Sequence, residues 1–268
     1  MVREARPSMT ARWVAAQRSR LHARRPTIPS GDADAELRLY RGFSRGFLLP
    51  GLQPMGMGLR TEFIDAEVLR ALSAGVTQFV VVGAGYDGRA LRFARSDVRW
   101  FEVDHPATQP DKTRRVREVS PSADCVSYVP VDLLHDDIGA ALRSVNHEAR
   151  RTSLFICEGL FAYLPNSVVR DLCGRLRDVA APGSVIVAST LVVPGSQGGK
   201  VQAIADSVLA VLGERRLSNF HAGTVEGMLA DAGWAVCRQA KSRAGRVSGS
   251  YLQLVAAESS REQPTARN

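Results

Sequence analysis

The stretch that most limits what this chain can fold into is residues 78–88, where QFVVV runs directly into GAGYDG. A short apolar run without polar alternation suits a strand covered on both faces, as in a parallel sheet. The glycines that follow allow positive φ and let a ligand lie against the backbone. With helix-like residues at 89–95, this is a G-x-G-x-x-G loop between strand and helix, the arrangement that binds dinucleotides and related cofactors. It is the first of a series. Apolar runs at 99–103, 126–131, 153–157 and 184–189 alternate with helix-like segments at 107–119, 137–146 and 168–180. Repeated β-α units of this kind specify a doubly wound α/β sheet. A helix at 223–232 precedes two further strands, 235–239 and 251–256, joined by the turn-rich KSRAGRVSG. Strands joined in this way pair antiparallel. The expected fold is a Rossmann-like seven-stranded sheet, mostly parallel with an antiparallel C-terminal strand, plus N-terminal helices and a lid.

The segments outside this series set the domain organisation. Residues 10–23 read as an amphipathic helix with Trp13, Val14, Gln17 and Leu21 on one face, and 33–41 as a second helix. A glycine- and proline-rich crossing follows at 42–58, and Thr61 is expected to cap a helix ending at Leu72. The division is 1–58 as helical extension and cap, 59–257 as the main domain with a lid at 191–220, and 258–268 as a disordered tail. A chain of 268 residues can bury a large core without disulfides or structural metal. Its four cysteines, Cys125, Cys157, Cys173 and Cys237, have no zinc-type spacing and suit a reducing, cytoplasmic setting. No apolar run approaches the roughly 18 residues of a membrane span. The net charge is +8, and residues 1–30 supply most of it, with seven arginines against Glu4. Only three lysines occur among 35 basic residues, a bias throughout the chain that argues for composition over a nucleic-acid surface.

Acidic residues at strand ends identify the class of ligand. The second strand ends Glu102-Val103-Asp104, and an acid there accepts hydrogen bonds from ribose hydroxyls. The two carboxylates are read as lying on opposite faces, with Asp104 reaching over the sheet edge and Glu102 as a strand residue with a charged partner. The third strand ends near Asp132, which either holds the adenine amine or caps the next helix. The fourth ends Cys157-Glu158-Gly159, placing a carboxylate in the crevice. Its burial requires a cation, and the amino group or sulfonium of S-adenosylmethionine is a suitable one.

Taken together, RTEFID at Arg60–Asp65, GAGYDGR at Gly83–Arg89, FEVDHP at Phe101–Pro106 and CEGLFAYLP at Cys157–Pro165 resemble the leucine carboxyl methyltransferase family. More narrowly, they resemble its bacterial branch, which includes polyketide carboxyl O-methyltransferases. MTARWVAAQR and the late GERR and MLADAGWAV extend the resemblance over about residues 9–257, with Met9 as the natural start. It implies that S-adenosyl-L-methionine is the cofactor and S-adenosyl-L-homocysteine the product. Gly83, Ala84 and Gly85 would pass under the methionyl part, Asp104 would hold the ribose, and Asp132 with the Leu133 backbone would hold adenine. Glu158 would meet the methionine amino end, and Arg60 would clamp the carboxylate. Arg89 would support the loop through Asp87. Tyr86, Tyr163 and His221 are candidates for the acceptor side, and no catalytic base stands out. In eukaryotic members that methylate proteins, an arginine associated with the acceptor carboxylate follows Asp-Leu; here Leu134 stands there, which favours a small-molecule acceptor. Two rival readings are an NAD(P)-dependent oxidoreductase, which leaves Asp132 and Glu158 without a role, and a non-enzymatic nucleic-acid-binding protein using the arginine-rich N-terminus.

Overall fold

Each apolar run becomes a strand close to where its hydrophobicity begins and ends. The computed structural model describes residues 9–18, 21, 25–41, 56–120, 126–193, 217–243 and 250–259. The strands are β1 (Gln78–Val82), β2 (Arg99–Asp104), β3 (Val126–Pro130), β4 (Ser153–Glu158), β5 (Val185–Val192), β6 (Trp234–Arg243) and β7 (Tyr251–Ser259). They form one sheet in the order β3-β2-β1-β4-β5-β7-β6. β1 to β5 run parallel, and β7 lies antiparallel between β5 and β6. The chain winds outward from β1 to β3 and then returns to place β4 on the other side of β1. The carboxyl ends of β1 and β4 therefore flank the switch point where open α/β sheets bind ligands.

The helices are α1 (Met9–Arg18), α2 (Ala33–Leu39), α3 (Met57–Ser73), α4 (Arg89–Arg92), α5 (Gln109–Val119), α6 (Ile138–Ser144), α7 (Asn166–Asp178) and α8 (Thr224–Asp231), with a 3₁₀ turn at Phe161–Tyr163. Strand alternation divides the core. Val80, Val82, Phe101, Val103, Phe155 and Cys157 face α6, α7 and α8. Phe79, Val81, Trp100, Leu154 and Ile156 face α3 and α4. A third cluster joins Ala15 of α1, Ala35 and Leu39 of α2, Tyr86, Leu91 and Val116 of α5. The N-terminal helices thus pack beside the loop after β1. Among the described residues no helix is long and apolar enough to cross a membrane.

Several expectations shift. α3 starts a turn before Thr61, because Gly56, at φ 67°, turns the chain directly into the helix. Thr61 is buried within it instead of capping it. α4 is one turn long, since the backbone at Phe93 departs and a turn at 95–98 leads into β2. α1 buries Ala15, Gln17 and Arg18, while Trp13 and Val14 are only half-buried. Its contact is ionic as much as apolar. Glu102 and Asp104 share the face of Trp100, as strand residues two apart must; the reading on opposite faces is corrected. β7 continues through Glu258 and Ser259, so the proposed tail begins inside a strand. Residues 1–8, 194–216 of the expected lid and 260–268 of the tail lie outside the described residues, as does Cys125.

Candidate functional site

The glycine loop is built on hydrogen bonds to β2. Gly83 N and Ala84 N donate to the Val103 carbonyl at 2.8 and 3.0 Å. Gly85 N donates to Asp104 Oδ2 at 2.5 Å, and His105 N to Asp104 Oδ1 at 2.7 Å. Gly83 has φ 68° and Gly85 φ 48°, so both lie where a side chain is strained. A Cβ on Gly83 would stand 2.9 Å from Leu160 Cδ1. The loop therefore runs bare past the end of β4, and Asp104 ties it to the end of β2. Burial pushes the Asp104 carboxyl up, against the His105 and Gly85 amides and the Lys112 charge that pull it down.

At the end of β3 the Asp132 carboxylate accepts from Leu134 N at 3.0 Å and meets His135 Nδ1 at 2.8 Å. It does not cap α6, whose N-cap is Asp137. Leu133 is partly buried against the core, and Leu134 is an exposed apolar side chain.

The end of β4 differs from the expectation. Glu158 receives its counter-charge from the protein itself: Oε1 lies 2.6 Å from Arg18 Nη2 and 2.8 Å from Arg60 Nε, and Oε2 lies 2.6 Å from Arg89 Nη1. Burial alone would raise this carboxyl; Arg18, Arg89 and Arg60 hold it well below the usual range. Arg89 also reaches Asp87 at 2.5 Å and Asp65 at 2.7 Å, so it braces the loop through Asp87 as expected. Burial would raise Asp87 too, but Arg89 and Arg18 hold it down to about 2. Arg92 joins Asp65 to Glu36 (2.9 Å each), and Arg25 reaches Glu36 at 2.5 Å. Among the described residues, five guanidinium groups thus face four carboxylates. Among the described residues, buried Arg89 Nη2 and Arg18 Nε find no hydrogen-bond partner. An excess cation with unused donors at the ligand crevice suits an anionic group, and Arg60, over Gly159, is the member nearest the strand end.

The acceptor candidates separate. Tyr163 lies in the 3₁₀ turn after β4 and interacts electrostatically with Arg60. His221 is exposed beyond β5, with Nδ1 3.1 Å from the Val193 carbonyl. Leu217 N and Ser218 N donate to the Ala162 carbonyl, bringing this segment onto the 3₁₀ turn. Tyr86 turns inward: it is buried, and its hydroxyl meets Asp111 and Arg12. Sequence reasoning missed Arg18, Asp65 and Lys112. The arginines of the N-terminal segment that are described direct their charge to internal carboxylates, Arg12 to Asp111, Arg18 to Glu158 and Arg25 to Glu36.

Comparison with known proteins bears on family and fold. The family model for leucine carboxyl methyltransferase matches residues 42–177. A Streptomyces coelicolor protein provisionally named an S-adenosyl-L-methionine-dependent methyltransferase is 33% identical over 221 residues, covering 82% of this chain and 72% of its own length. A similarly named protein of Mycobacteroides abscessus is 37% identical over 161 residues, covering 59% of this chain. That match spans about half of the relative, 51%. The crystal structure of magnesium protoporphyrin IX methyltransferase from Synechocystis with bound SAH superposes with a TM-score of 0.55 at 14% identity, covering 85% of this chain and 93% of that one. The likeness is one of fold.

Proposed function

This chain belongs to the leucine carboxyl methyltransferase family, and from that premise we propose that it is an S-adenosyl-L-methionine-dependent O-methyltransferase acting on a carboxylate or hydroxyl of a small molecule. A natural-product intermediate in the cytoplasm is the acceptor we favour. The observation that carries this reading is the set of groups at four adjacent strand ends: bare glycine loop, Asp104, Asp132, and Glu158 within its excess of arginines.

The residues fit the cofactor. Gly83, Ala84 and Gly85 would underlie its methionyl part, Asp104 its ribose, and Asp132 with Leu133 its adenine. Arg60 would hold its carboxylate, supported by the unused donors of Arg18 and Arg89; a planar, permanently charged guanidinium suits such a bidentate contact. Glu158 would meet the amino end by exchanging one of its arginine contacts. When bound, the cofactor supplies an activated methyl group on a sulfonium. The chain's part is to align the acceptor and exclude water. A carboxylate acceptor is already ionised at neutral pH and needs no base, whereas a hydroxyl does. Tyr163 and His221 are the acceptor-side groups in this reading. Leu134, an exposed apolar side chain in place of an arginine, favours a small molecule over a protein terminus.

Calorimetric titration with S-adenosyl-L-homocysteine, with NAD and NADP as controls, tests the cofactor. Saturable binding of S-adenosyl-L-homocysteine alone is expected, weakened at least tenfold in Asp104→Ala with the fold retained. Binding of a nicotinamide dinucleotide instead would overturn the proposal.

A further inference from the structure

One buried cation has no part in the reading above. Lys112 projects from α5 and is 2% exposed, and its Nζ lies 2.6 Å from Glu102 Oε2. It is one of only three lysines in a chain that otherwise uses arginine. Glu102 is followed two residues later by Asp104 on the same face of β2, so the ammonium stands on the face that carries the acid anchoring Gly85, and its charge acts on that acid. Gln109, one turn earlier on α5, donates to the Glu102 carbonyl at 2.8 Å and fixes the helix against the strand.

We propose that Lys112 is a positioning residue for the cofactor: its ammonium, fixed by Glu102, keeps the neighbouring Asp104 carboxylate charged and aimed at the glycine loop and the ribose. This rests on the cofactor assignment above. The charged groups around it come from three elements. Asp87 stands in the glycine loop, Glu102 and Asp104 on β2 with His105 just beyond it, and Lys112 on α5; Asp87 is already engaged by Arg89 and Arg18. Burial pushes Glu102 up to about 7 against the Lys112 charge. As Glu102 takes up a proton, Lys112 is left to Asp104 and Asp87. The compact charge of a lysine acts on both acids through space.

The test is S-adenosyl-L-homocysteine affinity by calorimetry at pH 6 and pH 8.5 for wild type, Lys112→Met, Glu102→Gln and the double variant, with melting temperature as the control for folding. In Lys112→Met, affinity is expected to fall at least tenfold at pH 6 and less than threefold at pH 8.5, because Asp104 protonates at higher pH without the cation. Glu102→Gln should bind at pH 6 as tightly as wild type or more tightly. The double variant buries no unpaired charge and should retain the weakness of Lys112→Met at pH 6. If Lys112→Met does not fold, the double variant carries the same test. Wild-type affinity in either Lys112 variant at pH 6 would show that Lys112 merely neutralises Glu102, and would overturn the role. Failure of wild type itself to bind would instead overturn the cofactor assignment on which the role rests.

Discussion

Two glycines of the loop after β1 differ in what makes them necessary. Gly83 is needed for its backbone, at φ 68°, because the atom its Cβ would meet is the movable end of Leu160 at 2.9 Å. Such a φ costs an ordinary residue about 1–2 kcal/mol. Gly88 has an unexceptional φ of −105°. A Cβ there would stand 2.2 Å from Glu36 Cγ and 2.7 Å from its Cδ. Glu36 cannot swing away, since its carboxylate is buried against Arg92 and Arg25 and accepts from Tyr40. Overpacking against a pinned side chain costs about 1–3 kcal/mol, and loosening a buried ion pair adds to that. Gly88→Ala is therefore expected to be the more destabilising of the two, despite its ordinary backbone. Denaturant titrations of Gly83→Ala and Gly88→Ala settle the order; a smaller loss in Gly88→Ala would mean that Glu36 is free to move.

At the scale of elements, α1 has an influence out of proportion to its ten residues. It places Ala11 against Gly85, where a Cβ would meet it at 3.0 Å, and carries Arg18 to both Glu158 and Asp87. Arg18→Met should weaken S-adenosyl-L-homocysteine binding at least tenfold and speed amide exchange across residues 83–88, while far-ultraviolet circular dichroism stays that of the wild type. Unchanged exchange there would separate α1 from the loop. The strands were legible because a parallel strand needs an unbroken apolar run, and QFVVV and SLFIC have one with turn residues at each side. The acids at strand ends were legible for a related reason, since an acid closing such a run has few structural uses. The network around Glu158 was not, because it joins α1, α2, α3, α4 and β4, segments with no common spacing. Arg18 in particular stands among arginines, where nothing in the local pattern separates a buried guanidinium from a solvated one. The face of α1 was misread for the same reason: apolar periodicity picks Trp13 and Val14, while the helix is held by a charge.

Across the whole molecule, two buried groups on either side of the sheet make opposing demands on pH. His147 lies between Phe101 and Phe155 with Nε2 3.0 Å from Ser153 Oγ. Burial, aided by the Arg99 charge, lowers it from 6.5 to about 4. The unfolded chain thus binds this proton first, so the stability that the neutral ring contributes is complete above pH 6.5 and is lost as pH falls toward 4. Glu102 behaves oppositely: burial raises it from 4.5 to about 7, so its contribution is complete below pH 4.5 and is lost as pH rises toward 7. The two gaps are equal in size, each about 3 kcal/mol at ~1.4 kcal/mol per pKa unit, and they overlap between pH 4.5 and 6.5. Over that range they offset each other, and wild-type stability is expected to be nearly level. Below it, Asp87, held near 2, and Glu158, lower still than its usual range, both lose their arginine pairs as they protonate, and stability falls steeply. Glu102→Gln removes one side of the balance. Its urea-unfolding free energy should drop by about 2 kcal/mol between pH 6.5 and 5 relative to wild type. Replacing His147 with glutamine should tilt the profile the other way, toward greater stability in acid. Parallel profiles for all three proteins would mean that neither group changes its protonation on folding in this range, and that the level wild-type profile has another origin.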